Sequence, residues 1–557
     1  MGISPGATCR SPSWETDPVE LLIDLFGYLS IIVHGLTILA QSMALGGVLF
    51  LVLLARPLRP VIGTGVLRRT VTIAAWSAIA LVAAESATVA LQAAVLVGTL
   101  DIGMVSALTS HAAMAGLVKI AASIMMAVLL LRGGEKASTL PLLALCAVVL
   151  LSATLTTHAA ARLEDRIPLL IAAFFHQAGA AIWIGGIPSF IAALAWVDDG
   201  IAFRAIGSRF SRMSMAGVAC ILVSGVFMAA SYIGDWAGFY GTAYGVMVGA
   251  KIALFLMLLA LGAMNFSLVE KLRSNPATPV NRLRRCAEVE IGVGVALFFA
   301  AASLTSVPPA VDLTQDRASW ADIVTRNTPE WPSFTSPDHD RLAIPELQAK
   351  LDAEAAHHAA TPSVAFTPGA GELPPRNADD VAWSEYNHHW SGLFVVAIGL
   401  LALLNRAGLS WAKHWPLLFV GLGVFLFIRS DPEVWPLGEI GFFESFRDVE
   451  VLQHRAFVLL IVGFAFFEWR VRAGNWTNKN AALVFPLMCA IGGGLLLTHS
   501  HAIANVKEQL LIELTHTPLA LGGITAGWAR WLEIRLDPKT NPLLVHVAGW
   551  TWPVCLL

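Results

Sequence analysis

Charge is what this chain has least of. Lys, Arg, Asp and Glu make up 13% of its 557 residues, 36 basic against 39 acidic, for a net charge of -3. That balance, with no long basic run and no glycine loop able to cradle phosphate, excludes a nucleic-acid or nucleotide binder. Cysteine is sparse and scattered. Cys9, Cys146, Cys220, Cys286, Cys489 and Cys555 show no CxxC spacing, which excludes a disulfide framework and a thiolate metal site and leaves packing as their role. The N-terminal stretch "MGISPGATCRSPSWETDPVE" lacks the basic region, short apolar core and small-residue cleavage site of a signal peptide, so the first apolar run is expected to stay as a membrane helix.

What is present is apolar length. Hydrophobic residues reach 56% and the mean hydropathy is +0.68, the composition of an all-α, polytopic membrane bundle. With about 20 apolar residues per crossing, about fourteen runs qualify. Eight lie near 21–54, 71–98, 104–131, 139–160, 168–197, 213–233, 242–265 and 287–309. Five follow near 390–404, 415–428, 454–469, 481–498 and 509–529, and a last run from 543 ends in "WPVCLL", short of a full crossing. The expected fold is therefore a bundle of about 13–14 helices embedded in a lipid bilayer. Alternate loops are basic, among them "RPLRPVIGTGVLRR", "RGGEK", "RAIGSRFSR" and "EKLRSNPATPVNRLRR", and these belong on the cytoplasmic side. The N-terminus and residues 311–387 then face outward.

The first eight runs read as two parallel groups of four. "VHGLTILAQSMALGG" in run 1 resembles "FHQAGAAIWIGG" in run 5, and "GLVKIAASIMMAVLL" in run 3 resembles "VGAKIALFLMLLALG" in run 7. Transporters use such repeats to build a site at the repeat interface. Residues 311–387 change character, rich in Pro, Ala, Asp and Glu with one helical pattern, "IPELQAKLDAEAAHH". The chain thus divides into a tail (1–20), an eight-helix module (21–310), an outer linker or cap (311–387) and a His-rich membrane module (388–557).

Ionisable groups inside a membrane are costly and face a cavity or a partner. Glu85, His111, Lys119, His158, His176 and Lys251 all fall in the outer halves of their runs, with His34 nearer the middle of run 1. A shared polar cavity fits that common depth, and so does an ion pair of Glu85 with Lys119 or Lys251 beside histidines bonded to backbone carbonyls. Glu288 and Glu290, next to "RLRR", read as interfacial charges. The second module brings histidines to the outer face: Glu385, His388 and His389 in "AWSEYNHHWSG", Asp448, Glu450 and His454 in "DVEVLQHRAF", and His499, His501, Glu513 and His516 in "THSHAIANVKEQLLIELTH". Neutral imidazole is the commonest protein metal ligand, and Glu385, Glu450 and Glu513 are available to fix ring tautomers. His499 and His501, two positions apart, point away from each other on either a helix or a strand, so His516 is the natural partner of His499. Solvated interfacial histidines are the plainer reading for His388, His501 or His546 taken singly. His339, His357, His358 and His414 lie in exposed stretches and carry no role. With no Cys or Met cluster beside it, a nitrogen-rich site suits Cu(II), two-coordinate Cu(I) or haem iron.

The first module resembles the bacterial copper-resistance CopD family. Four patterns in order carry the resemblance: "FHQAGAAIWIGGIPSFIAAL", "RFSRMSMAGVACILVSGVFMA", "YGVMVGAKIALFLMLLALGAMN" and "LRRCAEVEIGVGVALFFAAASLTSVPPA". Residues 1–167 fit less sharply, through His34, Gly46, Gly47 and "LLARPL". The resemblance implies an inner-membrane module that handles copper between periplasm and cytoplasm, with His176 as a metal contact and Trp183, Gly185 and Gly186 as packing. The second module departs from that pattern. Three functions stay open: copper transport or resistance, a membrane redox protein binding b-type haem or catalytic copper through the same histidines and docking an electron-transfer protein, or an assembly factor that hands copper to an oxidase. A periplasmic copper carrier is an expected partner.

Overall fold

The computed structural model describes residues 18–557 except 101, 276, 314–316, 330, 340–341, 343–377, 439, 448, 477, 479 and 499–505. The described residues form helices joined by turns and loops, with no strand among them. In hydrocarbon every backbone N–H and C=O must be satisfied within its own segment, and Ala- and Leu-rich helices do this.

The first module is built from α1 (Pro18–Phe50), α2 (Arg59–Leu100), α3 (His111–Gly133), α4 (Thr139–Thr154), α5 (Arg166–Trp183), α6 (Ile187–Ala195), α7 (Gly200–Ile233), α8 (Ala243–Ser274) and α9 (Asn281–Leu304). The second holds α10 (Ala378–Arg406), α11 (Leu418–Arg429), α12 (Val449–Arg472), α13 (Val484–Leu496), α14 (Val506–Arg535) and α15 (Pro542–Leu556). Nine spans among the described residues are long and apolar enough to cross a membrane. Three shorter apolar helices and the more polar α12 and α14 account for the remaining runs. Two boundaries differ from expectation. Run 2 begins a dozen residues early because α2 continues around a break at Gly63, whose φ of 71° only glycine adopts at low cost. Run 5 is two helices, because the chain widens at Gly185, whose N–H reaches back to the Ala180 carbonyl.

The expected repeat is visible in the packing. α1 lies on α2, α2 on α3 and α3 on α4; α5 lies on α7, α7 on α8 and α8 on α9. The halves close on each other reciprocally, α1 against α9 and α5 against α4. At the centre α1 crosses α5 with backbone on backbone: a Cβ at Gly46 would collide with the Gly185 carbonyl group, and one at Gly185 with the Ser42 carbonyl. Small residues permit that approach, which lipid-embedded helices use in place of a hydrophobic drive. Gln41 Nε2 donates to Gln177 Oε1 (2.9 Å) across the same crossing.

One end of the first module is basic. Arg68 reaches Glu135 (3.0 Å), Arg56 donates to Thr139 (2.6 Å), and Arg209 donates to the Leu53 carbonyl (2.7 Å), binding three loops together. The opposite end is spanned by a strap. Arg162 pairs with Asp312 (2.9 Å), and Arg317 grips Asp235 (3.0 Å). The backbone N–H of Gly238, and then Arg317, hold the Asp235 carboxyl below its ordinary value. The strap continues to the second module, where Arg429 donates to Ser336 (2.6 Å) and His339 contacts the Pro432 carbonyl. Inside the bundle the modules join through α9 and α14. Trp528 lies flat on Gly292, and Glu288 accepts from Trp531 (3.1 Å) beside Arg535 (3.4 Å).

The crossing is a stability determinant that can be tested. Gly185→Ala is expected to lower unfolding stability in detergent by at least about 1–3 kcal/mol, the usual cost of overpacking. Gly463→Ala, on α12 where a Cβ meets nothing within 4 Å, should leave the melting temperature unchanged or raise it.

Candidate functional site

In the first half of the repeat the buried charges cancel. Glu85 on α2 and Lys119 on α3 are each 3% exposed, and Lys119 Nζ lies 2.8 Å from Glu85 Oε2. Of the two lysines open to Glu85 from the sequence, the fold selects Lys119. Gly116 makes the room: a Cβ there would sit 2.6 Å from Val89 Cγ2 and 3.0 Å from Glu85 Oε1. One turn beyond Glu85, Thr88 bonds Thr37 of α1 (3.2 Å). His34 is half-buried within electrostatic reach of Lys119 and His158. His158, beyond the end of α4, has a buried Nε2 without a hydrogen-bond partner. His111 is exposed at the start of α3.

The second half repeats the scaffold but not the neutralisation. Gly47 abuts Ala74 as Gly186 abuts Phe210, and these contacts fix the register between α2 and α7. In that register Thr37 and Thr88 correspond to His176 and Ser224, and Glu85 corresponds to Ile221. The contact is conserved as His176 Nδ1 to Ser224 Oγ (3.1 Å). Lys251, the counterpart of Lys119 by the shared Lys-Ile-Ala, thus meets no carboxylate from α7. It is half-buried with no hydrogen bond or ion pair among the described residues, and His176 lies within its electrostatic reach. The Ser224 hydroxyl donates to the Cys220 carbonyl (2.5 Å), so its lone pair is left to accept from Nδ1–H. That tautomer puts the His176 lone pair on Nε2, the form that ligates metals.

Seven residues along α5, on the same face and about 10 Å deeper, Trp183 meets a second polar group. Its Nε1–H donates to Glu290 Oε1 (2.7 Å), and Asn265 Nδ2 donates to Oε2 (2.9 Å). Glu290 is 4% exposed, so its reading as an interfacial charge is corrected. Glu288 pairs with Arg285 and faces α14 through Trp531. Two residues on a helix are about 200° apart, so Glu288 and Glu290 face opposite sides of α9; that offset was the signal available in the sequence. Trp183 packs as expected, 2% exposed, but its indole nitrogen also holds Glu290.

The second module's histidines are more dispersed. His388 is exposed and bonds the Ser384 carbonyl of its own helix (2.7 Å). His389 is half-buried, and its buried Nδ1 has no partner. Glu385 is exposed, 3.8 Å from Arg326 of the strap. His454 Nδ1 lies 2.6 Å from Asp431 Oδ1, the carboxylate–imidazole arrangement that orients metal ligands; Asp431, in the loop after α11, was missed in the sequence. His516 Nδ1 bonds the Ile512 carbonyl (2.8 Å). Glu513 is buried, 3.4 Å from Thr517, in a crevice with Met247, Ala250, Ala300 and Leu497. The Glu450 side chain, Asp448, His499 and His501 lie outside the described residues. Among the described residues no three His, Cys, Asp or Glu converge to hold a metal.

Comparison with known proteins finds a likeness over part of the first module, from α7 onward and without α5. Residues 204–304, from α7 to the end of α9, match the family described as Copper resistance protein D. The copper transport protein CutJ of Bacillus subtilis (strain 168) is 32% identical over 164 residues, which is 29% of this chain and 29% of that relative. The chain therefore spans under a third of the curated relative it matches. No solved structure matches it.

Removing one partner of the Glu85–Lys119 pair strands a buried charge. Lys119→Met should cost about 3–5 kcal/mol in detergent unfolding, and Glu85→Gln with Lys119→Met should recover much of the loss. Arg68→Ala, at the exposed basic end, should cost under about 1 kcal/mol.

Proposed function

We propose that this multi-pass membrane protein, which carries a copper-resistance protein D segment at residues 204–304, passes copper as cargo across a bacterial inner membrane. The observation that carries the reading is the His176–Ser224 contact beside the unneutralised Lys251. Those three groups stand where the other half of the repeat has a closed, charge-balanced interior. His176 Nε2 offers the cargo one nitrogen ligand. A lysine close by disfavours a long-lived cationic complex, so the site exchanges copper rather than trapping it.

In this reading the basic end faces the cytoplasm, in keeping with the positive-inside tendency, and the strap and the second module's histidines face the periplasm. His389, His454 with Asp431, and His516, together with His499 and His501, are the proposed capture groups, receiving copper from a periplasmic carrier. His176 then takes the ion at the first module's outer half and passes it toward the basic end. The two modules act on one path because α8 and α9 pack directly on α14.

Copper accumulation by cells expressing the chain tests this. His176→Ala should abolish the accumulation that the intact chain confers. Ser224→Ala, which leaves the imidazole without its orienting partner, should weaken copper affinity about 10–100-fold. Asp431→Asn should impair accumulation at low external copper and spare it at high. Accumulation unchanged in His176→Ala would contradict the path, and loss of an oxidase activity with cellular copper unaltered would favour an assembly role.

A further inference from the structure

The buried carboxylates of the described residues fall into two kinds. Glu85 and Glu468 lie against Lys119 and Arg472, and Asp431 against His454. Glu290 and Glu513 are held by neutral donors alone. These two differ in their surroundings. The crevice at Glu513 has no room for a water molecule. Glu290 lines a mainly apolar cavity of about 300 Å³, walled by Trp183, Phe210 and Leu283 among others, with a polar patch made by Asn265, Ser211 and Ser214.

That cavity occupies the basic half of the bundle. Leu283 is two residues inside the start of α9, Asn265 is within three turns of the end of α8, and Ser211 and Ser214 are about three to four turns into α7. Water needs polar partners to stay and an apolar wall leaves a cavity dry, so hydration is confined to the polar patch beside Glu290. One patch of the wall supplies them: the two serines, Asn265 and Glu290, with the Ser214 hydroxyl buried and otherwise unpartnered. No charged side chain from α5, α7 or α8 is bonded to Glu290. The titratable groups nearby are the Cys286 thiol, one turn along α9, and Arg282 beyond it.

We propose that Glu290 is a proton-exchange site, reached through this cavity from the basic end, whose protonation governs release of the cargo cation. A single carboxylate with both oxygens already accepting hydrogen bonds is a poor sole ligand for copper, but a proton needs one oxygen. An anionic carboxylate in this setting lacks a fixed countercharge, so a cation is favoured close by and a proton otherwise. As the cation arrives from the His176 level, the carboxylic acid gives up its proton to cavity water and the carboxylate balances the incoming charge. As the cation leaves toward the basic end, a proton from that side returns to the same oxygen. No proton crosses the membrane in the cycle. The consequence is kinetic: release responds to pH at the basic face.

The proton site and the copper reading on which its role rests can be tested separately. Full-length protein in detergent is treated with dicyclohexylcarbodiimide, which modifies protonated carboxyls in apolar sites, from acid to alkaline pH, and peptides are read by mass spectrometry. Glu290 should label in acid and lose the label as pH rises, while Glu85, paired with Lys119, stays unmodified throughout. Glu290 unlabelled at every pH, or labelled equally at all of them, would overturn the proposal without reference to copper. In proteoliposomes, copper flux should vary with pH at the basic face in the native chain and become flat in Glu290→Gln, with Glu290→Asp restoring the dependence. A Glu290→Gln protein as pH-responsive as the native one would also overturn it. Absence of any flux alongside pH-dependent labelling would sink the copper reading and leave the proton site standing.

Discussion

The structure depends on one close approach, the backbone crossing of α1 and α5 at Gly46 and Gly185. Two helices can touch there only because neither residue has a side chain. The contact sets the axis about which two four-run halves pack reciprocally, α1 on α9 and α5 on α4. Each half also carries a local widening next to this crossing, a π-turn over Leu51–Ala55 after α1 and the Gly185 turn after α5. Such irregular turns are tolerated in a membrane where protein rather than lipid surrounds them, as at the buried Leu51, Leu54 and Ala55.

Given that axis, the departure from symmetry is where chemistry can reside. One half sequesters its lysine with Glu85 and closes its helix contact with two threonines. The other replaces the carboxylate by Ile221 and a threonine by His176, leaving Lys251 uncompensated. An ionisable group inside a membrane bundle without a counterion is costly, and a costly group kept in a scaffold points to function rather than to packing. His176, Lys251, Asn265 and Glu290 then form a polar line on α5, α8 and α9, from the strap end toward the basic end. Ser224, Lys251, Asn265 and Glu290 lie within the segment that matches the copper-resistance family.

Much of this was legible in the chain. The all-α membrane class followed from apolar run length, and the repeat from the two Gly-Gly pairs and the two Lys-Ile-Ala triplets. His176 was reachable because the resemblance and its depth agreed. Glu290 was not, since its neighbours in sequence are arginines and only its rotation from Glu288 around α9 turns it inward. Asp431 lay hidden in a loop that tertiary packing alone brings to His454. The sequence also left Glu85 with two candidate lysines, Lys119 and Lys251, and Gly116 on α3 decides for Lys119 by making room. The division of run 5 escaped because an apolar stretch reads as continuous whether or not its hydrogen bonds shift by one residue. For the second module, histidine content suggested one cluster, yet His388 and His516 bond their own helices, His454 bonds Asp431 and His389 leaves a buried nitrogen unpartnered.

The central claim is that the asymmetric half of the repeat holds copper through His176. Copper content and the optical spectrum of the purified full-length chain, native and His176→Ala, after loading with copper under matched conditions, test it most directly. The account predicts bound copper in the native protein, no Soret band, and loss of most of that copper in the variant from the first module's site. Copper retained in full by His176→Ala, or a Soret band in the native protein, would contradict it.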